Sequence, residues 1–589
     1  MSSVVLPVLA LLALPSLAAA QTTMLASVGA GGVSGNGNSE IPALSHDGRF
    51  VVFTSQASNL HPADTDATKD VYVRDLVLGV TELVSVDSNG NHATGESSGD
   101  SISADGRFVA FDSDAVDLMP GDADGDRDVF VRDRASGTTI PVSVDAGGNP
   151  GDADSQVSVL SPDGRFVAFR SLAGNLVPGD TNGEWDVFLR DLQGGTIERV
   201  NVATGGAEAH GDSYVTSVSA DGRHVLFSSL ASDLVAGDTN LERDIFVRDV
   251  AAGTTTRVSV SSSGAQSDGD SHAGYLSADG RFATFVSLAT TLVPGDTNGV
   301  QDVFVHELAT GATTRVSVRS DGGQADAWST GSGITPDGRF VAVTSDATNL
   351  VPGDAGFRDV FLHDRLNGRT TRVGLAHDGA APNADGYSWG GALSANARRV
   401  AWFTPATNVV PGHAGAFFDV FVRDRGPASS FTVLCPGNAA CPCGNAGAGG
   451  RGCASSASGS GALLVGSGEA SLAGDSVAFA SSGEPATATS IVLQGDALVA
   501  PLAFGDGLRC AGGGLKRLYV IAASGGALTA PQPGDPSVSA RSAALGDPLA
   551  PGATRVYQVY YRDPDPGFCP APQGSTFNAT NAVAVAWGS

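Results

Sequence analysis

The chain has little positive charge, almost no lysine and no cysteine before residue 435. Of its 589 residues, 34 are Lys or Arg against 62 Asp or Glu, a formal net charge of −28, and Lys69 and Lys516 are the only lysines. This balance argues against nucleic acid or an anionic membrane as partner, since both are bound through Lys and Arg. Beyond the N-terminus no apolar run approaches the ~20 residues of a bilayer-spanning helix. Helical periodicity never lasts more than a turn or two. The length exceeds what one hydrophobic core usually serves, so two or more domains are expected.

Residues 1–20 form the one long apolar stretch. It ends in Ala18-Ala19-Ala20 before Gln21, the pattern of a cleaved signal peptide, although no Lys or Arg precedes it. A short membrane anchor is the competing reading, and Pro7 and Pro15 speak against it. The expectation is an exported protein (periplasmic, surface-bound or extracellular) with no membrane span in the mature chain. All six cysteines, Cys435, Cys441, Cys443, Cys453, Cys510 and Cys569, fall in the last third, which in an exported chain reads as a disulfide framework. Zinc competes for the first four, but their spacing lacks paired C-x2-C knuckles.

An Asp-Gly-Arg tripeptide begins at Asp47, Asp105, Asp163, Asp221, Asp279 and Asp337, each 58 residues after the last, and a degenerate Asn396-Ala397-Arg398 follows 59 residues later. Each unit carries four short β-type runs. In the third they span 157–160, 165–171, 186–191 and 197–202, parted by Gly, Asp, Asn and Ser. Four antiparallel strands repeated seven times describe the blades of a β-propeller. The seventh unit stops after its third run, at 419–424, while Thr22-Thr23-Met24-Leu25-Ala26-Ser27-Val28 matches the fourth run Thr255-Thr256-Arg257-Val258-Ser259-Val260. The N-terminal segment is therefore predicted to complete the last blade and close the ring without an open edge.

Units such as SPDGRFVAFRS and DVFLRDLQGGTIERVNV resemble the TolB-type, WD-repeat-like propeller repeat across residues 22–426. The resemblance implies the fold and leaves function open, because such propellers serve as binding platforms, substrate filters and occasionally lyases. The predicted layout is thus a propeller over 21–430 and a second domain over 431–589. In the latter, β-type runs at 461–465, 490–494, 517–521, 554–561 and 582–587 alternate with Gly/Pro/Ser turns, which predicts a small disulfide-bonded β-sandwich. CPCGN at 441–445, FGDGLRC at 504–510 and the tail at 557–563 resemble a C-terminal domain of exported proteins from environmental bacteria.

The loop between the second and third strands is acidic. The pattern D-x-[DN]-x-x-x-D recurs as Asp64/Asp66/Asp70, Asp122/Asp124/Asp128 (with Asp126), Asp180/Asn182/Asp186, Asp238/Asn240/Asp244 and Asp296/Asn298/Asp302. Unit six is one residue short, from Asp354 to Asp359, and unit seven has His413 in place of the first Asp. Oxygen ligands at alternate loop positions suit Ca²⁺, and the extra Asp126 makes unit two the strongest candidate. The plainer reading is Asx turns and capping of the third strand. The repeated Arg-Asp pairs on the third strand, such as Arg132-Asp133 and Arg190-Asp191, are expected to form salt bridges between blades.

Eight residues before each landmark stands a serine: Ser39, Ser97, Ser155, Ser213, Ser271, Ser329 and Ser388. Gly95–Gly99 spells G-x-S-x-G, but a nucleophile elbow needs a strand–turn–helix context, so the serines read as a repeated hydrogen-bonding element. The position after each serine differs in every unit: Glu40, Ser98, Gln156, Tyr214, His272, Thr330 and Trp389, with Trp328 and Tyr387 preceding two of the serines. First strands line a propeller's channel, so Tyr214, His272, Trp328, Tyr387 and Trp389 are the candidate ligand-binding residues, on the same face as the acidic loops. Repetition accounts for nearly every other polar residue. The chain therefore reads first as an exported, non-enzymatic binding or scaffold protein with a calcium-stabilised propeller and a protein or carbohydrate ligand. One alternative is a polysaccharide lyase or hydrolase at the channel mouth, with His272 and Glu40 or Tyr214 as acid–base pair. The other, following the resemblance, is a TolB-like envelope protein-interaction module.

Overall fold

A computed structural model describes residues 22–587, except 123–124, 355, 367, 388–391, 414, 416, 426–430, 435–440, 442–450, 457, 460, 468–469, 471–474, 476, 505–506, 533, 551–552 and 564–576. The chain is all-β apart from single short helical turns and divides into two compact units, Gln21–Arg425 and Gly426–Ser589. The N-terminal unit is a seven-bladed propeller. Six blades are four-stranded antiparallel sheets in sequential order; the seventh adds the N-terminal strand, in the order Thr22–Leu25, Asp419–Asp424, Arg399–Thr404. Isolated bridges Tyr387↔Phe403 and Leu393↔Val400 mark the first strand of that blade.

Local sequence explains each blade. In the third, Ser155–Leu160, Phe166–Ser171, Asp186–Asp191 and Thr196–Arg199 pair in turn. Phe169 faces Phe188 across the second and third strands, with ring centroids 5.7 Å apart, a cross-strand stack repeated as Phe111–Phe130, Phe227–Phe246 and Phe285–Phe304. The Asp-Gly-Arg tripeptide forms the hairpin turn: Asp163 accepts from the Ser161 hydroxyl at 2.5 Å and the Arg165 amide at 3.0 Å. Gly164 sits at φ 76°, and a Cβ there would lie 2.3 Å from the Phe108 ring of the preceding blade. Glycine is thus required by backbone conformation and by close approach of the neighbouring blade.

Seven apolar clusters hold the seven blade junctions. One joins Val52 and Val71 of blade one to Val109 and Phe111 of blade two, and another joins Ala26, Leu44 and Val51 to Phe403, Val420 and Val422 across the closure. The closure is also hydrogen-bonded: the Ser27 hydroxyl donates to Asp419 at 2.6 Å, and the Ala395 amide donates to the His46 carbonyl at 2.8 Å.

The third-strand Arg-Asp pairs correct one expectation, since the carboxylate's main partner lies within its own blade. Arg49 bonds Asp75 at 2.7 Å, Arg107 bonds Asp133 at 2.7 Å and Arg165 bonds Asp191 at 2.6 Å. The reason is register: Phe50 faces Asp75, so the landmark arginine just before Phe50 reaches the carboxylate across its own sheet. The third-strand arginines turn instead to threonines and backbone carbonyls; Arg132 donates to the Asp87 carbonyl and the Thr139 hydroxyl, both at 3.0 Å.

The C-terminal unit is a β-sandwich. A five-stranded sheet in the order Phe431–Leu434, Phe577–Ala586, Thr554–Arg562, Thr489–Gly495, Lys516–Ala522 shares a core with a three-stranded sheet of Leu463–Ser467, Ala478–Ser482 and Ala527–Ala530. Leu464, Phe479, Val492, Tyr557 and Trp587 are buried between them. Cys441 and Cys453 form a disulfide and Cys510 is also disulfide-bonded. Cys435, Cys443 and Cys569 lie outside the described residues, as do Asp124, Ser388, Trp389 and residues 1–20.

Candidate functional site: the channel mouth

Strand register brings the acidic loops and the variable positions to one end of the propeller. In blade three Gln156 faces Arg170, and the next pair, Ser155 and Ser171, abuts Asp186 at the end of the acidic loop. The serines bond one another: Ser39–Ser55, Ser97–Ser113, Ser155–Ser171, Ser213–Ser229, Ser271–Ser287 and Ser329–Ser345 lie 2.8–2.9 Å apart. Their amides also tie neighbouring blades together, Ser213 to the Trp185 carbonyl and Ser271 to the Arg243 carbonyl, both at 2.8 Å.

In blades three to six an arginine of the fourth strand enters the acidic loop. Arg199 lies 3.2 Å from Asp180, 3.0 Å from Asp186 and 2.6 Å from Glu208. Arg257 bridges Asp238 and Asp244 at 3.3 and 3.2 Å, Arg315 bridges Asp296 and Asp302 at 3.1 and 3.2 Å, and Arg372 bridges Asp354 and Asp359 at 2.9 and 3.1 Å. Each guanidinium stands between the carboxylates that a cation would bridge. The Asn side chains are engaged as well. Asn182 donates to Asp186 at 3.1 Å and to the Ala209 carbonyl at 3.1 Å, while its carbonyl accepts the Glu184 amide at 3.0 Å; Asn240 and Asn298 repeat the arrangement. Burial pushes Asp180 up to about 6 against the pull of Arg199.

Blades one, two and seven carry Leu83, Pro141 and Leu25 at the arginine's position. In blade one, ligating atoms of Asp64, Asp66, Asp70 and His92 lie within 4.8 Å of one another. There His92 Nε2 is 2.8 Å from Asp70, and Tyr72 donates to Asp64 at 2.6 Å. In blade seven His413 lies 3.4 Å from Asp419.

The loop of blade two, the first metal candidate of the sequence, is described except for residues 123–124, which include Asp124. Among the described residues Asp122, Asp126 and Asp128 do not bring three ligating atoms together as the blade-one residues do. Asp128 is buried at the start of its strand, where it accepts the Ser143 hydroxyl at 2.5 Å, and that hydroxyl in turn accepts the Val129 amide at 3.0 Å. The last aspartate of the pattern therefore faces the serine that continues the fourth strand, and its job is to tie the two strands. Asp70 with Ser85, Asp244 with Ser259 and Asp302 with Ser317 repeat the bond, at 2.7, 2.5 and 2.5 Å.

At the mouth, cations pair differently from blade to blade. Lys69 meets Glu40 at 3.0 Å, Arg127 meets Asp112 at 2.6 Å, and Arg358 meets Asp346 at 2.7 and 2.8 Å while stacking on Trp328 and Tyr387. Arg170 stacks on Trp185 and Tyr214, 4.5 and 4.4 Å from the ring centroids, and Arg243 stacks on Tyr214 at 4.8 Å. Tyr387 packs on Phe403, with centroids 5.4 Å apart. His272 Nδ1 is 2.7 Å from Asp270, so its partner is neither Glu40 nor Tyr214. Of the candidate ligand residues, Tyr214 with Arg170 and Arg243, and Trp328 with Tyr387 and Arg358, each form a cluster; His272 stands with Asp270. Sequence reasoning did not single out these arginines, one on the second strand and two just before the third, because polar residues there read as part of the repeat. For Arg170 the signal is that it has no basic equivalent, since its position holds Thr54, Asp112, Ser228, Val286 and Thr344 in other blades. Arg243 and Arg358 share one repeat position with Lys69 and Arg127, filled by Trp185 and Gln301 in two other blades.

Below the mouth a cavity of about 370 Å³ is lined by residues of every blade, including Leu44, Ile102, Leu160, Val218, Leu276, Ile334 and Leu393. The bulge after the mouth position places Ile41 and Val157, both β-branched, at φ 55° and 54° on this lining. That conformation costs on the order of 1–3 kcal/mol per residue.

The chain matches no family model and no curated protein. Among solved structures it is similar to one described as "putative TolB" from Agrobacterium tumefaciens, at 19% identity over 47% of this chain and 79% of that one, with a TM-score of 0.30. A likeness at that level carries no argument about function, and the fold rests on the strand order and register above.

Proposed function

We propose that the propeller is a non-enzymatic binding platform that takes its ligand at the channel mouth. The observation that supports this most is a contrast within the repeat. The paired serines, the landmark aspartates and the arginine–carboxylate pairs beside them recur from blade to blade, whereas the mouth column differs in each blade and presents Tyr214, Trp328, Tyr387 and unlike cations around one opening. A protein or carbohydrate ligand fits such a surface. The test is titration of the chain with panels of oligosaccharides and peptides, read by tryptophan fluorescence. Saturable binding lost in Tyr214→Ala supports the reading, and binding unaffected by every mouth substitution rejects it.

The calcium reading draws its support from blade one, where no fourth-strand arginine enters the loop and Asp64, Asp66, Asp70 and His92 converge. A rise in melting temperature with Ca²⁺ that disappears in Asp64→Asn but persists in Asp122→Asn supports it. Export is supported by the apolar segment 1–20 and by disulfide bonding in the C-terminal unit. Among the described residues no helix is long and apolar enough to cross a membrane.

One observation favours an enzyme as second reading. His272 and Asp270 form a hydrogen-bonded imidazole–carboxylate pair at the mouth, both about one-third exposed at 33% and 30%. Consumption of a bound oligosaccharide, abolished by His272→Asn, would establish it. The TolB-like interaction module remains the reading for a peptide ligand.

A further inference from the structure

In a chain with nearly twice as many acids as bases, a half-buried arginine without a carboxylate is a departure that needs a reason. Of the five cations around the mouth, Lys69, Arg127 and Arg358 each have an acid within 3.0 Å. Arg170 and Arg243 have none within 4.0 Å among the described residues, and in both the Nε is buried without a hydrogen-bond partner. They are held by ring faces instead. Trp185, Arg170, Tyr214 and Arg243 form one alternating ladder of aromatic and guanidinium groups across the junction of blades three and four.

Ring stacking fixes the planes of the guanidiniums and leaves their N–H edges free to donate. Two such edges beside one phenol make a fork-shaped donor set, which matches a carboxylate in geometry and charge. The surroundings keep the ladder from being neutralised internally: Asp112 is held by Arg127, and Asp212 accepts the Trp185 amide at 3.1 Å. Both act on Arg170 only from a distance, and burial holds its guanidinium below the ordinary arginine range, as expected of a cation short of counter-charge. The net charge of −28 disfavours a long polyanion, while a single carboxylate at contact feels chiefly the two arginines, since charges beyond ~8 Å are screened at physiological salt.

Resting on the mouth reading above, we infer that the ladder Trp185–Arg170–Tyr214–Arg243 is a recognition site for one carboxylate of a small ligand or ligand terminus. The carboxylate could belong to a uronic sugar or to an amino acid or peptide end, and the chemistry recognised is the same.

The test uses the full chain and ligand-observed NMR with four probes: glucuronate, glucose as its neutral counterpart, N-acetylphenylalanine and its amide. The inference expects binding of at least one acid, no detectable binding of the matching neutral compound, and affinity about tenfold weaker in Arg170→Gln and Arg243→Gln. Which acid binds identifies the source of the carboxylate. Added salt should weaken binding in the wild type and less so in the variants. Binding of acid and neutral compound alike, lost in Tyr214→Ala but unchanged in both arginine variants, overturns the carboxylate assignment and leaves the mouth reading standing. Acid binding that none of these three substitutions alters overturns the site itself. Thermal melting of each variant keeps loss of fold distinct from loss of binding.

Discussion

The guanidinium of Arg199 stands 3.2 Å from Asp180 and 3.0 Å from Asp186, so the acidic loop of blade three carries its own cation. Both carboxylates are nearly inaccessible, at 6% and 0%, and Glu208 closes the cluster at 2.6 Å. Removing the arginine leaves buried charges uncompensated. Arg199→Met should lower stability by about 3 kcal/mol and make the propeller respond to Ca²⁺, because three carboxylates then surround a space of cation size. Melting curves of the variant with calcium and with chelator check this; a variant that ignores calcium would show that the carboxylates are not arranged to hold one.

Closure of the ring predicts a second effect. Ser27 donates to Asp419 at 2.6 Å and accepts from the Val420 amide at 3.1 Å, all three being buried. Ser27→Ala should cost about 1–3 kcal/mol through the unsatisfied partners. Deleting residues 22–28 should do more, exposing the edge of Asp419–Asp424 and promoting association between chains. Chemical denaturation and light scattering measure the two effects; a deletion variant that stays monomeric at wild-type stability would refute the closure.

Protonation gives a third prediction, with opposite signs at the two ends of the pH scale. Burial pushes Asp359 up to about 7 despite Arg372 at 3.1 Å. Its folded pKa is raised, so its contribution is present in full below the unfolded value near 4 and is lost as pH rises through about 7. Asp191 and Asp249 lie low, at about 2, chiefly because Arg165 and Arg223 bond them. Their contribution is present above pH 4 and is lost as pH falls through about 2. Stability should therefore decline on both sides of mildly acid pH, and Asp359→Asn should make the upper limb shallower, leaving the part due to Asp70 and Asp180 (both pushed up to about 6), without altering the lower limb. An unchanged upper limb in that variant would exclude Asp359 as a contributor.

The disulfides predict separable behaviour of the two units. Every cysteine lies beyond Arg425, and the Cys441–Cys453 bond closes a loop of 12 residues. Reduction should destabilise the C-terminal unit by about 3 kcal/mol and leave the unfolding of Gln21–Arg425 where it was. Calorimetry with and without reductant distinguishes this from one transition that shifts as a whole.

How far the sequence could be read follows from what each feature depends on. The 58-residue recurrence of Asp-Gly-Arg marks a hairpin turn whose demands are local: a carboxylate for the turn amides, and Gly164 at positive φ beneath Phe108. Blade number and closure were therefore legible. Partner choice depends on register, which is why Asp75 was assigned across blades although Arg49 reaches it within its own. Asp128 shows the same limit: loop spacing does not reveal that strand pairing brings it the Ser143 hydroxyl. The cation of the acidic loops was hidden in the fourth strand. Arg199, Arg257, Arg315 and Arg372 each follow the third-strand aspartate by 13 residues, a spacing absent from the blades with Leu83 and Pro141. The mouth was located by its variability, but the cation–aromatic ladder needed the side-chain packing of two blades at once.

The platform account is tested most directly by following one bound ligand by NMR over time, in the wild type, in Tyr214→Ala and in His272→Asn. The account predicts saturation transfer to the ligand in the wild type, its loss in Tyr214→Ala, its retention in His272→Asn, and a ligand spectrum that does not change over days. Conversion of the ligand by the wild type, stopped by His272→Asn, would contradict it and make the mouth an active site.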